Sequence, residues 1–235
     1  MAIAKRRPRV AVLDWKIAPA SNSGVDLEAK VLGKGVRTQY YLIDTEADFT
    51  TEILEADALI IWQNTLITER TLDQLKRCRA LIRNGVGFDS VDITAAAARG
   101  IPVCNVPDYG TEEVADHTIA LTLALTRQLF PLDYEAKRPG WKLVAKDKLR
   151  RTSTLTFGVI GLGRIGTATA LRAKALGFRV LFYDPHLPNG VHKAVGIERA
   201  DSLAKLLKKS DVVSIHCPLS DETHYLIAEE ELALM

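Results

Sequence analysis

Three glycines, Gly161, Gly163 and Gly166, stand in the spacing G-x-G-x-x-G, and Asp184 follows at the end of the next apolar run. The chemistry open to this set is the holding of a dinucleotide. Gly161 permits a tight turn off a strand, Gly163 lets a pyrophosphate approach bare backbone, and Gly166 lets a helix pack close to that strand. A helix start adds unpaired N–H groups and partial positive charge for the phosphates. Asp184 is placed to accept both ribose hydroxyls of the adenosine half. Its charge favours NAD, because it repels the 2′-phosphate of NADP.

Such a glycine triplet alone says little, so its flanks decide. Residues 155–160 are a short apolar run rich in β-formers. An Ala/Leu-rich helical segment follows, closed by Gly177, and then the apolar run 179–183. The order strand, turn, helix, strand, acid is the one the dinucleotide chemistry requires.

The elements that must carry this unit set its scale. With 235 residues, one or two domains are expected. The hydrophobic fraction of 47% and charged fraction of 26% are those of an ordinary soluble globular protein. A formal net charge of +2 argues against a nucleic-acid or membrane-surface protein. The basic run KRRPR at 5–9 reads as a solvated tail rather than a binding patch. The three cysteines, Cys78, Cys104 and Cys217, are far apart and form no C-x-x-C, so no zinc site is legible and a reducing compartment is expected. No signal peptide or membrane span is visible, which makes the expected location cytoplasmic.

Residues 9–105 alternate between strands and helices. Strands are expected at 9–13, 38–43, 58–62, 80–83 and 101–103, and helices at 25–32, 49–54, 68–77 and 91–98, the last capped by Asp89. This alternation implies a parallel sheet covered on both faces, a flavodoxin-like α/β arrangement for residues 1–108. Residues 111–130 read as one long helix with an apolar stripe at Val114, Thr118, Leu121 and Leu125, widened by Ile119, Leu123 and Leu129. Apolar on more than one face, it suits burial between domains or a subunit interface. Residues 131–153 read as a polar linker. Beyond Asp184, strands are expected at 196–199 and 212–215, with Asp201 capping a helix between them and a last helix from about Ala228 to Met235.

Several stretches together resemble the D-isomer-specific 2-hydroxyacid dehydrogenase family. They are NGVGFD at 84–89, VCNVP at 103–107, EVADH at 113–117, GLGRIG at 161–166 and SDVVSIHCPL at 210–219. The patterns around 87–89 and 103–107 are most similar to its C-terminal-binding-protein branch. The resemblance implies a Rossmann NAD-binding domain over 109–235, a 2-hydroxy or 2-keto acid substrate and hydride transfer to or from NAD held in a cleft between two α/β domains. It implies that the turn Gly85, Val86 and Gly87 presents N–H groups to the substrate carboxylate. Adjacent N–H groups in such a turn can converge on an anion, although an ordinary strand-to-helix turn has the same look. It further implies that Leu162, Gly163, Arg164 and Ile165 hold the pyrophosphate, that Asp184 takes the ribose, that Cys217, Pro218 and Thr223 line the adenine side, and that Thr118 approaches the nicotinamide end. The 111–130 helix becomes the crossover between domains and part of a homodimer interface. The loop at 62–66 is expected to meet the substrate side chain.

None of the five histidines, His117, His186, His192, His216 and His224, is assigned as the acid/base. His117 and Asp116 are helical neighbours that do not face each other. In the family the catalytic Arg, Glu and His all follow the His-Cys-Pro-Leu strand, and this sequence ends at Met235 before them. Three readings stay open. The chain is a truncated dehydrogenase that binds NAD with little turnover, a non-catalytic NAD-sensing protein like the corepressor members, or a remnant with little cofactor affinity. Only about four of six dinucleotide-domain strands are encoded, which leaves the last one with an open edge.

Overall fold

The computed structural model describes residues 6–16, 23–62, 65–140 and 149–235; side chains are described from residue 27 onward in the first helix. Two compact units, 1–109 and 110–235, make up the chain.

The first unit is a five-stranded parallel sheet. Its strands are β1 (Arg9–Asp14), β2 (Arg37–Leu42), β3 (Ala58–Ile61), β4 (Leu81–Arg83) and β5 (Val103–Asn105), in the order β2-β1-β3-β4-β5. This is the expected flavodoxin-like arrangement. The helices α1 (Ser23–Leu32), α2 (Thr51–Leu54), α3 (Glu69–Gln74) and α4 (Ile93–Ala98) connect them. Leu13, Ile53, Leu59, Ile61, Ile67 and Leu81 are fully buried and form the core. A strand buried on both faces reads as an unbroken apolar run, which is why LII at 59–61 is legible.

Two local expectations are corrected here. The helix expected at 91–98 starts at Ile93, and its cap is Asp92, which accepts from Ala95 N–H at 2.8 Å, not Asp89. Val91 instead bridges Ile67. The fifth strand lies two residues later than expected, because Ile101 turns into the core and Pro102 has no N–H for a ladder.

The second unit opens with α5 (Thr111–Thr126) and α6 (Leu129–Ala136). One continuous helix over 111–130 was expected. The chain breaks it at Gln128, which adopts φ 52°, a left-handed conformation. Part of the expected linker is therefore helical, and Pro131 sits in the first turn of α6, where its missing N–H costs no bond. Residues 141–148 of that linker, Lys5 of the basic run, and Gln63 and Asn64 of the expected substrate loop lie outside the described residues. The buried side of α5 is Ala115, Thr122 and Ala124, small residues that allow close approach to the helix Arg164–Ala175. Val114, Leu121 and Leu125 of the expected stripe are exposed.

The sheet of this unit is parallel, with order β8-β7-β6-β9, from β6 (Thr156–Ile160), β7 (Arg179–Tyr183), β8 (Glu198–Arg199) and β9 (Val212–Ile215). Helices α7 (Arg164–Ala175), α8 (Val191–Val195), α9 (Leu203–Lys209) and α10 (Glu229–Leu232) accompany it. Ser202, not Asp201, caps α9, accepting from Lys205 N–H at 3.3 Å, while Asp201 pairs with the Lys205 ammonium. Phe157 and Phe182 are fully buried at the centre, with Phe157 edge-on to Phe178 at 5.7 Å. Leu206 and Leu207 seal the other face.

Candidate functional site: a dinucleotide cradle in the second unit

The cradle starts where β6 ends. Gly161 has φ +86°, in the region that favours glycine. A Cβ there would sit 2.7 Å from Cys217 N and 3.1 Å from Cys217 Cα, so the turn and the end of β9 can touch only at a residue without a side chain. At Gly166 a Cβ would overlap the Gly161 carbonyl oxygen, so α7 lies directly against the turn. Nothing lies within 4 Å of where a Cβ on Gly163 would stand. Three glycines thus have three reasons: two are demanded by the fold, and the third leaves open space.

Gly163 is the N-cap of α7, and the first intrahelical bond runs from Thr167 N–H to Gly163 C=O at 2.9 Å. The N–H groups of Arg164 and Ile165 precede that bond, so they belong to the unpaired, partly positive helix start. The Arg164 side chain is exposed beside them. Ile165 is half-buried, and Leu162 is buried with its side chain in the core.

Asp184 closes the opposite side. Its Oδ2 accepts from Leu162 N–H at 2.9 Å and its Oδ1 from His186 N–H at 3.0 Å. The acid therefore ties the glycine turn to the loop after β7, and each oxygen keeps a lone pair for a ligand hydroxyl. Arg199 holds that loop from β8. It donates to the carbonyls of Asp184 at 2.8 Å, Leu187 at 2.9 Å and Pro188 at 3.3 Å, and to Asn189 Oδ1 at 3.3 Å.

Turn, acid and the segment after β9 enclose a pocket of about 400 Å³. Gly161, Gly163, Asp184, Cys217, Pro218 and Thr223 of the expected set all line it. Burial pushes the Cys217 thiol above its ordinary value, so it is a neutral wall. Thr223 Oγ1 donates to Pro218 C=O at 2.6 Å and accepts from Ser220 N–H at 2.8 Å, which folds the segment back on itself. His216 is half-buried, burial pushes its imidazole below the usual 6.5, and its Nε2 lies 2.9 Å from Ser214 Oγ. It packs under the turn as expected for a structural histidine. A larger cavity of about 530 Å³ in the first unit, beside α4 and β5, is lined by no charged residue.

Thr118 lies half-buried on α5, and its hydroxyl donates to Val114 C=O at 2.7 Å. In the first unit, the turn after β4 holds Gly85, Val86 and Gly87. Gly85 N–H donates to Arg83 C=O at 2.8 Å, Gly85 C=O accepts from Val106 N–H, and Val86 C=O accepts from Asn105 Nδ2 at 2.9 Å. The Arg83 guanidinium lies against the same turn, with its Cζ 2.8 Å from where a Gly85 Cβ would stand.

Sequence reasoning missed Arg83, Arg199 and the pair His186–Glu222, whose Nε2 and Oε2 lie 3.2 Å apart at the pocket. No spacing announces contacts between residues this far apart in the chain. An arginine inside the run that precedes a helix cap was the one visible sign of Arg199.

A family model described as D-isomer specific 2-hydroxyacid dehydrogenase, NAD binding domain, matches residues 119–235. The chain belongs to the D-isomer-specific 2-hydroxyacid dehydrogenase family. It is 35% identical to a D-3-phosphoglycerate dehydrogenase of Methanocaldococcus jannaschii over 191 residues, 81% of this chain and 36% of that protein. It is 33% identical to C-terminal-binding protein 1 of Caenorhabditis elegans over 240 residues, 96% of this chain and 31% of that protein. Among solved structures, the D-lactate dehydrogenase of Aquifex aeolicus complexed with NAD and lactic acid superposes with TM-score 0.85 at 31% identity, covering 96% of this chain and 66% of that one. The chain spans about a third of the length of the curated relatives it matches. NAD is the cofactor of the matched domain family. The glycine turn and Asp184 thus sit in the part of the chain that carries the family's NAD-binding domain. No helix among the described residues is long and apolar enough to cross a membrane.

Proposed function

We propose that the pocket at Gly161–Asp184 holds the adenosine diphosphate half of NAD, and that this chain serves hydride transfer between NAD(H) and a small 2-hydroxy or 2-keto acid. One observation carries the reading: the carboxylate that would accept the ribose hydroxyls is hydrogen-bonded to the turn that would hold the pyrophosphate. The N–H groups of Gly163, Arg164 and Ile165 take the diphosphate. Asp184 takes the ribose, while Cys217, Pro218 and Thr223 wall the adenine side and Thr118 lies toward the nicotinamide. Gly85, Val86 and Gly87 receive the substrate carboxylate, with the Arg83 guanidinium adding charge beside them.

The reaction also needs a group that moves a proton at the substrate C2 oxygen. Among the described residues, the one histidine paired with a carboxylate is His186, at the ribose side of the pocket, and His216 is bonded to Ser214. Residues 1–235 are therefore proposed to bind NAD with little turnover by themselves. Docking of two copies through the exposed apolar side of α5 and α6, at Leu121, Leu125, Leu129 and Phe130, completes the proposal.

Calorimetric titration tests it. NAD is expected to bind, and Asp184→Ala is expected to weaken it about tenfold or more, by loss of charge-assisted hydrogen bonds. Unchanged affinity in Asp184→Ala would overturn the site. Rapid oxidation of NADH with pyruvate, glyoxylate or hydroxypyruvate by residues 1–235 would overturn the statement on turnover. A second reading, a partner-binding protein that senses NAD without catalysis, draws support from the likeness to C-terminal-binding protein 1. It predicts NAD binding with no turnover even in the longest natural form of the chain.

A further inference from the structure

Asp184 is not the only carboxylate at this pocket. Glu222, on the segment after β9, lines it too, and its Oε2 lies 3.2 Å from Nε2 of His186 on the loop after β7. The pair spans the pocket from one loop to the other, and both side chains are about three-quarters exposed. His186 is tied to Asp184 as well, through its N–H on Asp184 Oδ1 at 3.0 Å. His186 thus meets both carboxylates, Glu222 through its imidazole and Asp184 through its backbone N–H, at the corner proposed for the ribose.

We infer that Glu222 is a second determinant of cofactor choice, which refuses the 2′-phosphate of NADP by its charge and by occupying His186. This rests on the NAD reading of the pocket given above. A 2′-phosphate would project from the ribose toward the Asp184–His186 corner, where it meets the two negative charges. The imidazole that could neutralise it is already taken by Glu222. Removal of Asp184 alone leaves one carboxylate and an occupied histidine. Removal of both carboxylates frees the His186 ring nitrogen now held by Glu222 to donate to the phosphate. NAD carries no 2′-phosphate, so Glu222 bears on its affinity far less than on that of NADP. Arg199 lies behind the same loop but spends its donors on backbone carbonyls and Asn189, so it does not compete for this role.

The test is a matrix of titrations with NAD and NADP on the 235-residue chain, Asp184→Ala, Glu222→Gln and the double variant. Glu222→Gln is expected to raise NADP affinity on the order of tenfold, the Coulomb effect of one unit charge on a phosphate dianion a few ångströms away in high dielectric. NAD affinity stays within about threefold, since the pair is exposed and weak. The double variant gains further for NADP over Asp184→Ala, and addition of His186→Ala removes the gain. Equal changes for both dinucleotides, or none for NADP, would overturn the inference while leaving the NAD site standing. Failure of the unaltered chain to bind NAD would overturn the pocket reading and this inference with it. Retention of the NADP gain after His186→Ala would overturn the part played by His186.

Discussion

Gly163→Ala separates what the glycine turn does for the fold from what it does for a ligand. Gly163 has φ −75° and ψ −158°, a backbone any residue adopts, and a methyl there meets no protein atom within 4 Å. Alanine is a poorer N-cap than glycine, so the cap loses up to about 1 kcal/mol. That loss is offset by about 0.4–1 kcal/mol of reduced unfolded-chain entropy. The melting temperature should therefore move by no more than about 2 °C. The ligand meets a different surface. The methyl stands where a pyrophosphate must come to reach the N–H groups of Arg164 and Ile165, and a charge-assisted bond there contributes about 1.5–3 kcal/mol. Loss of one such bond weakens NAD about 10- to 100-fold. Gly166→Ala is the counterpart: its methyl overlaps the Gly161 carbonyl, overpacking that costs about 1–3 kcal/mol or more and lowers the melting temperature by roughly 4–10 °C. Differential scanning calorimetry and NAD titration on the two variants check this. Gly163→Ala with unchanged NAD affinity, or with the larger thermal loss of the two, would refute the assignment of one glycine to the ligand and one to packing.

Two further expectations concern His216 and the exposed helix face. Burial disfavours the charged imidazole of His216, so the folded chain takes up its proton at lower pH than the unfolded chain. The corresponding stability is complete above about pH 6.5 and is lost as pH falls through that value toward the lower folded one. Urea midpoints measured from pH 7.5 to 5.5 should fall more steeply in the natural chain than in His216→Gln, and parallel curves would sink the assignment. Leu125→Glu with Phe130→Glu places charges on the apolar side of α5 and α6. Sedimentation equilibrium should show a dimer in the natural chain and a monomer in this variant, and a variant that still dimerises would exclude that face.

Much of the fold was legible because both sheets are parallel and buried. Strands such as VAVL at 10–13 and TFGVI at 156–160 read as unbroken apolar runs between turn residues. The glycine spacing was legible because each glycine answers a local steric demand within one strand, turn and helix. What failed was decided by contacts distant in sequence. Gln128 breaks the long helix in a conformation that glutamine has no preference for, so its neighbours rather than its own chemistry set it. Pro131 stands at the start of the expected linker, yet the first turn of a helix accepts proline. Asp89 was the expected cap of the fourth helix, and the bridge between Ile67 and Val91 holds the chain extended past it, so the helix starts at Ile93 with Asp92 as its cap. The corner formed by Asp184, His186, Arg199 and Glu222 comes from two loops and one strand end. No periodicity within one element could have gathered it.

Arg199 gives the pocket a property beyond its shape. Its guanidinium grips three carbonyls and one amide oxygen of the 184–189 loop. A guest arriving here finds a corner already built, and little chain entropy is spent to receive it. Uptake should then be a single bimolecular phase in stopped-flow, without a slow second step. The heat-capacity change should reflect only the apolar surface covered. Arg199→Met would convert that immediate fit into one that waits for the loop to settle.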